Sequence, residues 1–478
     1  MLVDEVLRTC LEKECRMSRT EIEKELVNVS NPDLQEWLRL NCRPCREHDK
    51  RRKKDNAEFI AKFVTTAWDS LNQDNFKFST APFMSDEDLH QLNQTSKSTR
   101  MRTDDILKSR RVYGPEVFKW SPLERMVVRH MHTEDFNGLL SKDMLPPGLT
   151  HLTFGHKFNQ PLGPGVLPPH LTHLKFGWNF NQPLGPGVLP PDLTHLKFGY
   201  NVYNRPTGLS DFDQPLEVGV LPPSLTHLTF GNIFNQPLGL DVLPPRLTHL
   251  KFVSRSEFNQ PLGLGVLPRD LTNLKFGWDF NQPLGLGVLP PDLTHLKFGW
   301  SFNQTLGPDV LPLRLTYLQL GYAFTNFDQP LEEGILPLSL THLTFKFGFN
   351  RPLRPGVLPR NLTHLIFGWI FNQPLGLGVL PQNLTHLTFG SDFDQPLELG
   401  VLPQNLTHLT FVSDFNQPLG PGVLSRNLTH LKFGWKFNQP LGLGVLPPTL
   451  TYLRFGSDFK HKLGPGVLPL RLEHVIFG

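Results

Sequence analysis

Hydrophobic and polar positions repeat along this chain with a period of 22 residues across residues 136–478. Each of the fifteen copies is a variant of FNQPLGPGVLPPxLTHLKFG. In the second copy, residues 171–176 follow a period of two, with Thr172, Leu174 and Phe176 expected on one face and His173 and Lys175 on the other. This pattern predicts one short β-strand per copy. The remainder of the copy is dense in proline and glycine, which prevents a helix from propagating. We therefore expect the return side of each copy to be extended or turn-like.

The apolar positions of the repeat predict a stacked array rather than a globular domain. At this period each apolar side chain lies over its counterpart in the next copy, and burying one contributes about 1.5 to 3 kcal/mol. The asparagine after the first phenylalanine, such as Asn159, is expected to satisfy backbone groups at a corner. The expected core positions of the second copy are Phe158, Leu162, Val166, Leu167, Leu171, Leu174 and Phe176. The predicted fold is mainly β: a leucine-rich-repeat-like parallel β-solenoid of about 15 coils.

The segments FNQPL and GVLPxxLTHLxFG together resemble the FNIP repeat family, a leucine-rich-like repeat, and the resemblance covers residues 136–478. The spacing LxxLxF in residues 171–176 also matches the strand portion of a leucine-rich repeat. Known members of this family come mainly from social amoebae and from large DNA viruses of amoebae. In several viral members the array follows an F-box, and the resemblance therefore implies a substrate receptor of a ubiquitin ligase.

Residues 1–135 lack the repeat and are expected to form a small, α-helical N-terminal region. Apolar residues three and four positions apart in residues 56–71 are typical of an amphipathic helix. Residues 101–131 are expected to form an irregular approach that caps the first coil. The region lacks the Leu-Pro start and three-helix spacing of an F-box, so a ligase role would require a diverged adaptor-binding region. Structural zinc and reduced thiols are both open for its four cysteines: Cys10, Cys15, Cys42 and Cys45.

Composition and charge narrow the class of protein. No apolar run is long enough to span a bilayer, and the charged start MLVDEVLRTCLEKE does not resemble a signal peptide. We therefore expect an intracellular protein with no membrane association, in the cytoplasm or, alternatively, in the nucleus. The basic run at residues 50–54 is either a nuclear import signal or a solvated helix face. The formal net charge of +3 does not by itself indicate a polyanionic partner.

Polar side chains are predicted to lie on the strand face opposite the core. The first such position is histidine in twelve of the fifteen copies. We expect neutral, stacked imidazoles here rather than a metal site, because a row at about 4.8 Å spacing is linear and zinc requires tetrahedral ligands. Lysines interrupted by threonines follow two residues later, and tryptophans follow the strand. The candidate partner-binding face comprises His173, Lys175, Trp178, His195, Lys197, His249, Lys251, Trp278, His295, Lys297, Trp300, Trp369, His430, Lys432 and Trp435.

Copies that depart from the repeat, by insertion or substitution, are the other candidates for recognising a specific partner. Insertions in a solenoid are extruded as loops, and three of them interrupt the spacing, near residues 201–211, 254–257 and 325–326. The largest holds a candidate contact loop, Tyr203, Asn204 and Arg205, which is either a decayed copy or a selected contact. Acid pairs such as Asp213 with Glu217 recur in three copies. They lie on separate coils without an activated nucleophile, so we interpret them as copies of one variant repeat.

Together these features predict a binding protein with no enzymatic activity and no cofactor. The leading hypothesis is an interaction scaffold that binds an unidentified protein partner along the exposed strand face. One alternative is the substrate-recognition subunit of a ubiquitin ligase with a diverged F-box-like N-terminal region. The other is a nucleic-acid-binding solenoid, which the interrupted lysine row disfavours.

Overall fold

In a computed structural model of the chain, the described residues are 111–113, 130–133, 136–199, 211–321 and 327–478. The chain divides into two compact units: Met1–Glu134 with Asp143–Leu152, and Asp135–Lys142 with Thr153–Gly478. The described ranges contain strands and turns but no helix, and so none long and apolar enough to cross a membrane.

The first unit contains strands β1 (Arg111–Tyr113) and β2 (His130–His132), which pair in parallel with Val112 opposite Met131. The prediction of a helical N-terminal region with an irregular approach is therefore wrong at these two segments. The sequence of β2, HMH, has the same apolar centre between two polar residues as the strands of the repeat, and Met131 is buried. The other predicted helices, the four cysteines and the basic run lie outside the described residues.

Each repeat copy contributes one short strand, as predicted. The third strand, β3 (His151–Thr153), contains residues of both units. The strands that follow belong to the second unit: β4 (His173–Lys175), β5 (His195–Lys197), β6 (His227–Phe230), β7 (His249–Phe252), β8 (Asn273–Lys275), β9 (His295–Lys297), β10 (Tyr317–Leu320), β11 (His342–Phe345), β12 (His364–Ile366), β13 (His386–Phe389), β14 (His408–Phe411), β15 (His430–Lys432), β16 (Tyr452–Arg454) and β17 (His474–Ile476).

Strands β4 to β17 form a parallel sheet in which each strand pairs with the next in chain order. The register places equivalent positions side by side, for example His173 opposite His195 and Leu174 opposite Leu196. The prediction of a leucine-rich-repeat-like parallel β-solenoid of about 15 coils is confirmed for the repeat region.

The core of each coil consists of the apolar positions that the repeat predicts. All seven expected core residues of the second copy are buried, and Phe158, Leu171 and Phe176 are fully inaccessible. Thr172 departs from the expected alternation because it lies before the strand and is partly exposed, while the preceding Leu171 takes the buried position.

Two rows of phenylalanine run through this core. Phe176 stacks on Phe180, the first phenylalanine of the next copy, with ring centroids 3.9 Å apart, and on Phe198 at the end of that copy at 5.5 Å. Such aromatic pairs contribute about 0.5 to 1.5 kcal/mol beyond the burial of their area. Because the same contacts recur in coil after coil, the rings form an aromatic spine behind the strands, in which Leu320 replaces one phenylalanine.

Adjacent coils are closer together on the strand face than on the opposite side of the core. The rings of His173 and His195 are 4.1 Å apart, whereas those of Phe158 and Phe180 are 6.0 Å apart. Equivalent atoms of successive coils are therefore displaced less on the histidine side. Each coil is tilted relative to the next, with the strand face on the inner side of the bend.

The return side of each coil begins with a tight turn, as the proline and glycine content predicts. In the second copy Val166 N donates to Gly163 O at 3.3 Å, and Gly165 has φ of 76°. A turn with a φ above zero at its third residue is type II, which favours glycine there and proline before it. Asp241 and Asp309 replace this glycine and retain φ of 57° and 59°.

The asparagine of the repeat ties one coil to the next. Asn159 Oδ1 accepts a hydrogen bond from Asn181 N at 3.0 Å, so the backbone group that it satisfies belongs to the following coil. The expected role in satisfying backbone groups is thus confirmed. In a variant copy, Asp394 Oδ1 accepts from Asn416 N at 2.8 Å. A carboxylate replaces the amide as acceptor, which explains why aspartate is tolerated at this position.

Glycine at the strand end permits close contact between coils. A Cβ atom built on Gly299 would overlap the carbonyl oxygen of Gly277 in the preceding coil. Gly285, on the return side of the same coil, has room for a Cβ, which would lie 3.9 Å from a methyl group of Val288. The two glycines therefore differ in the space around them.

We predict that Gly299→Ala destabilises the array by about 1 to 3 kcal/mol, because the backbones of two coils must separate to admit the methyl group. Gly285→Ala, the matched control, should change stability by less than about 1 kcal/mol. Thermal unfolding followed by circular dichroism measures both. Equal melting temperatures for the two variants would contradict this account of coil packing.

Candidate functional site

The exposed strand face of the second unit carries two rows of polar side chains. The histidine row occupies the first strand position, and its rings stack: His173 and His195 are 4.1 Å apart and His364 and His386 are 4.2 Å apart, each pair with an interplanar angle of 11°. Asn273, at the start of β8, interrupts the stack. The predicted ladder of stacked imidazoles is confirmed.

Threonine hydroxyls orient the rings of the histidine row. Thr194 Oγ1 donates to the carbonyl oxygen of Thr172 at 3.0 Å and lies 2.9 Å from His195 Nδ1. A hydroxyl has one hydrogen, so when Thr194 donates to the carbonyl, His195 must donate Nδ1–H to the hydroxyl oxygen. The ring nitrogen Nε2 is then the unprotonated acceptor. The same pair of contacts recurs for His227, His249, His295, His342, His364, His386, His408 and His430.

Burial lowers the pKa of histidines in the row, because the folded chain removes part of the water around each ring. The positive charges of neighbouring histidines or lysines lower it further. For His364 the pKa falls to about 4, with burial as the largest cause and His342 and His386 as the next. The pKa is also lowered for His195, His227, His249, His295, His386 and His408. These rings are therefore neutral at pH 7.

The lysine row occupies the third strand position of β4, β5, β7, β8 and β9. In β4 and β5, Lys175 lies opposite Lys197. Burial, followed by the charges of Lys251 and Lys175, lowers the pKa of the Lys197 ammonium. At the end of this stretch, the Lys297 ammonium lies 4.7 Å from the ring centroid of Tyr317 in the next coil, a cation–π contact. The predicted histidines and lysines thus share one face.

The tryptophans that follow the strands differ from one another. Trp178, Trp278 and Trp300 are half-buried, and the rings of Trp278 and Trp300 are 5.1 Å apart in an edge-on arrangement. Trp369 and Trp435 are 53% and 69% exposed. The sequence pattern treats these five residues alike, but only the last two present much of their surface to solvent.

The insertions contribute one residue that the sequence pattern did not indicate. In the insertion at residues 254–257, Ser256 is fully buried and Arg255 lies 5.3 Å from the ring centroid of Trp278. The repeat sequence alone does not predict a contact between an inserted residue and the next coil. The candidate contact loop Tyr203, Asn204 and Arg205, and the insertion at residues 325–326, lie outside the described residues.

No metal-binding cluster is found in the part of the chain that the structure describes: no three or more His, Cys, Asp or Glu side chains are grouped to hold an ion. The acid variants of the repeat contact backbone groups instead. Asp328 Oδ1, for example, accepts from Asn350 N at 3.0 Å, and its other carboxylate oxygen lies 3.0 Å from Arg351 Nε.

Comparison with known proteins matches the repeats to a family model described as FNIP Repeat. The matched segments are residues 158–201, 212–254, 258–301, 280–323, 327–369, 371–414, 415–458 and 437–478. No curated protein matches the chain.

Among solved structures, the chain is similar to the giant-virus protein CroV588, whose crystal structure is described as a novel circular LRR protein structure. The sequences are 41% identical with a TM-score of 0.62, over 75% of this chain and 58% of that one. The match thus spans little more than half of that relative. The internalin InlF of Listeria monocytogenes aligns at 15% identity over 55% of this chain and 84% of that one, with a TM-score of 0.37.

We predict that the array loses stability as the pH falls from about 6.5 towards 4. In the unfolded chain the histidines have a pKa of about 6.5, while the folded pKa is lowered, to about 4 for His364. Within this window the unfolded state binds protons that the folded state does not, so acid favours unfolding. The melting temperature should be constant above pH 7 and fall progressively below 6.5.

Asparagine variants test whether the histidine row causes this loss. Asn273 already occupies the row, where its Nδ2 donates to Thr272 Oγ1 at 3.0 Å. The triple variant His364→Asn, His386→Asn, His408→Asn should therefore fold and show a shallower decline in melting temperature between pH 6.5 and 4. An unchanged pH profile in the triple variant would exclude the row as the cause.

Proposed function

Because this chain belongs to the FNIP repeat family, we propose that it is a protein-interaction scaffold whose exposed strand face binds a protein partner. The observation that carries the proposal is that the first and third positions of strands β4 to β17 lie in register on one continuous side of the sheet, with the lysine row on β4 to β9. Each strand adds an equivalent pair of side-chain positions to this face, so a ligand can contact many coils at once.

The composition of the face supports binding rather than a merely solvated surface. The array repeats its core with little change, whereas the third strand position varies between lysine, threonine, glutamine, isoleucine and arginine from coil to coil. Variation on a rigid, regular framework is how solenoid proteins build extended binding surfaces on their inner side. A purely solvated face has no need of large aromatic residues at its border.

Trp369 and Trp435 are the strongest candidates for anchoring a partner. They border the face three coils apart and remain 53% and 69% exposed. Tryptophan is enriched among the residues that dominate the energy of protein interfaces, because its large surface is buried with little loss of side-chain entropy. Serine occupies the same position in other coils, at Ser391 and Ser457.

A site-specific photo-cross-linker tests the proposal. The cross-linking residue is placed at Thr388 on the strand face or, as a matched control in the same coil, at Gln382 on the edge before the strand. The full chain is then irradiated in extract of the cells that produce it. We expect one defined protein to cross-link from position 388 and not from position 382.

The double variant Trp369→Ser, Trp435→Ser should reduce that cross-linked product at least about tenfold, since loss of a hot-spot residue costs about 2 kcal/mol or more. Equal cross-linking from positions 388 and 382, or a product that is insensitive to the double variant, would contradict binding along the strand face.

A further inference from the structure

The lysine row is concentrated on one part of the face. Five of the six consecutive strands β4 to β9 have lysine at the third position, and the register places these lysines in line, with Lys251 opposite Lys275 and Lys275 opposite Lys297. The equivalent positions of the next five strands are uncharged: Gln319, Thr344, Ile366, Thr388 and Thr410. Positive charge at this strand position is thus concentrated in β4 to β9, and it recurs at Lys432 in β15 and Arg454 in β16.

Strands β4 to β16 contain no aspartate or glutamate at any position. The partners of Lys275 and Lys297 shown by the structure are neutral, a hydroxyl of Ser254 at 3.3 Å and the ring of Tyr317. Burial and the neighbouring ammonium groups of Lys251 and Lys297 lower the pKa of Lys275. Like charges therefore lie side by side at an energetic cost that a bound anion would relieve.

We propose that strands β4 to β9 bind an acidic segment of the protein partner, with its carboxylates against the lysine row. This inference rests on the proposed function and names the partner's chemistry. Six parallel strands about 4.8 Å apart span roughly 24 Å, which is the length of about seven residues of extended chain. The segment is therefore an acidic run of that length or longer.

The surroundings of the lysines favour a protein segment over a single-stranded nucleic acid. Binding of single strands depends on aromatic faces on which bases stack. The tryptophans beside this stretch, Trp178, Trp278 and Trp300, are half-buried. Trp278 and Trp300 pack edge-on against each other, and Arg255 covers one ring. The lysine row is also interrupted at Thr229, so phosphate contacts would be discontinuous.

The test measures fluorescence anisotropy of a labelled ten-residue glutamate peptide with the full chain at low and at physiological salt. The variant Lys197→Thr, Lys251→Thr, Lys275→Thr removes three charges, and threonine already occupies this strand position at Thr229 and Thr344. We expect saturable binding that weakens at least about threefold in this variant, since each of the three exposed ion pairs contributes about 0.2 to 1 kcal/mol. A ten-residue glutamine peptide should not bind.

A matched control removes positive charge elsewhere. Arg246, Arg314 and Arg360 are exposed on the edge before the strands, and Thr449, Ser339 and Gln382 occupy the equivalent positions in other coils. The variant Arg246→Thr, Arg314→Ser, Arg360→Gln loses the same net charge and should bind the glutamate peptide within twofold of the unmodified chain.

Three outcomes would overturn the assignment: glutamate binding that both variants weaken equally, binding of the glutamine peptide as tightly as the glutamate peptide, or tighter lysine-dependent binding of a ten-nucleotide dT strand. The last would identify a nucleic acid as the ligand. If the glutamate peptide fails to bind while cross-linking from position 388 persists, the acidic segment is wrong and the scaffold function stands. If cross-linking fails while lysine-dependent glutamate binding persists, the anion site stands and binding along the whole face is wrong.

Discussion

The structure depends on one constraint: each residue of a coil packs against its own counterpart in the next coil. The parallel register of the strands sets this condition, with Leu174 opposite Leu196 and His173 opposite His195. Apolar positions satisfy it directly, because leucine on leucine and phenylalanine on phenylalanine build a continuous core. Glycine is required where the backbones of two coils touch, as at Gly299. The asparagine side chain accepts a hydrogen bond from the backbone of the following coil, as Asn159 does from Asn181.

The same constraint restricts what the exposed face can carry. A charged residue repeated in every coil would stack on its own charge, at a cost in free energy. Histidine avoids that cost because the ring is neutral when its pKa is lowered, and its flat faces stack at 4.1 to 4.2 Å. A row of lysines does incur this repulsion between like charges. Its row is limited to a few coils and interrupted by threonine, and we associate that limited stretch with an anionic ligand.

The core and the strands follow from the sequence because they depend on local period and residue size. The alternation around Leu174 places one strand in each copy, and the prolines and glycines exclude helices from the return side. Strands β1 and β2 were not predicted. Each has only three residues, and the segments that contain them lack the repeat sequence that marks the other strands. Thr172 was misplaced because the alternation begins one residue later than the sequence pattern indicates.

The candidate site was predictable only in part. The sequence places His173 and Lys175 on one face, but the solvent exposure of each side chain depends on how the neighbouring coils pack against it. Trp178 and Trp435 occupy the same repeat position, yet one is half-buried and the other is 69% exposed. The contact of Arg255 with Trp278 joins an insertion to the next coil, and no periodic pattern contains that information.

Packing of each coil against the next buries the histidine rings and keeps them neutral, with burial as the largest cause of the lowered pKa of His364. NMR titration of the chain labelled with ¹³C at histidine Cε1 tests this protonation state. The His364→Asn variant assigns the signal of His364. We expect this ring to titrate near pH 4, with Nδ1 protonated in the neutral form. A His364 signal that titrates near pH 6.5, the value of an isolated histidine, would contradict it.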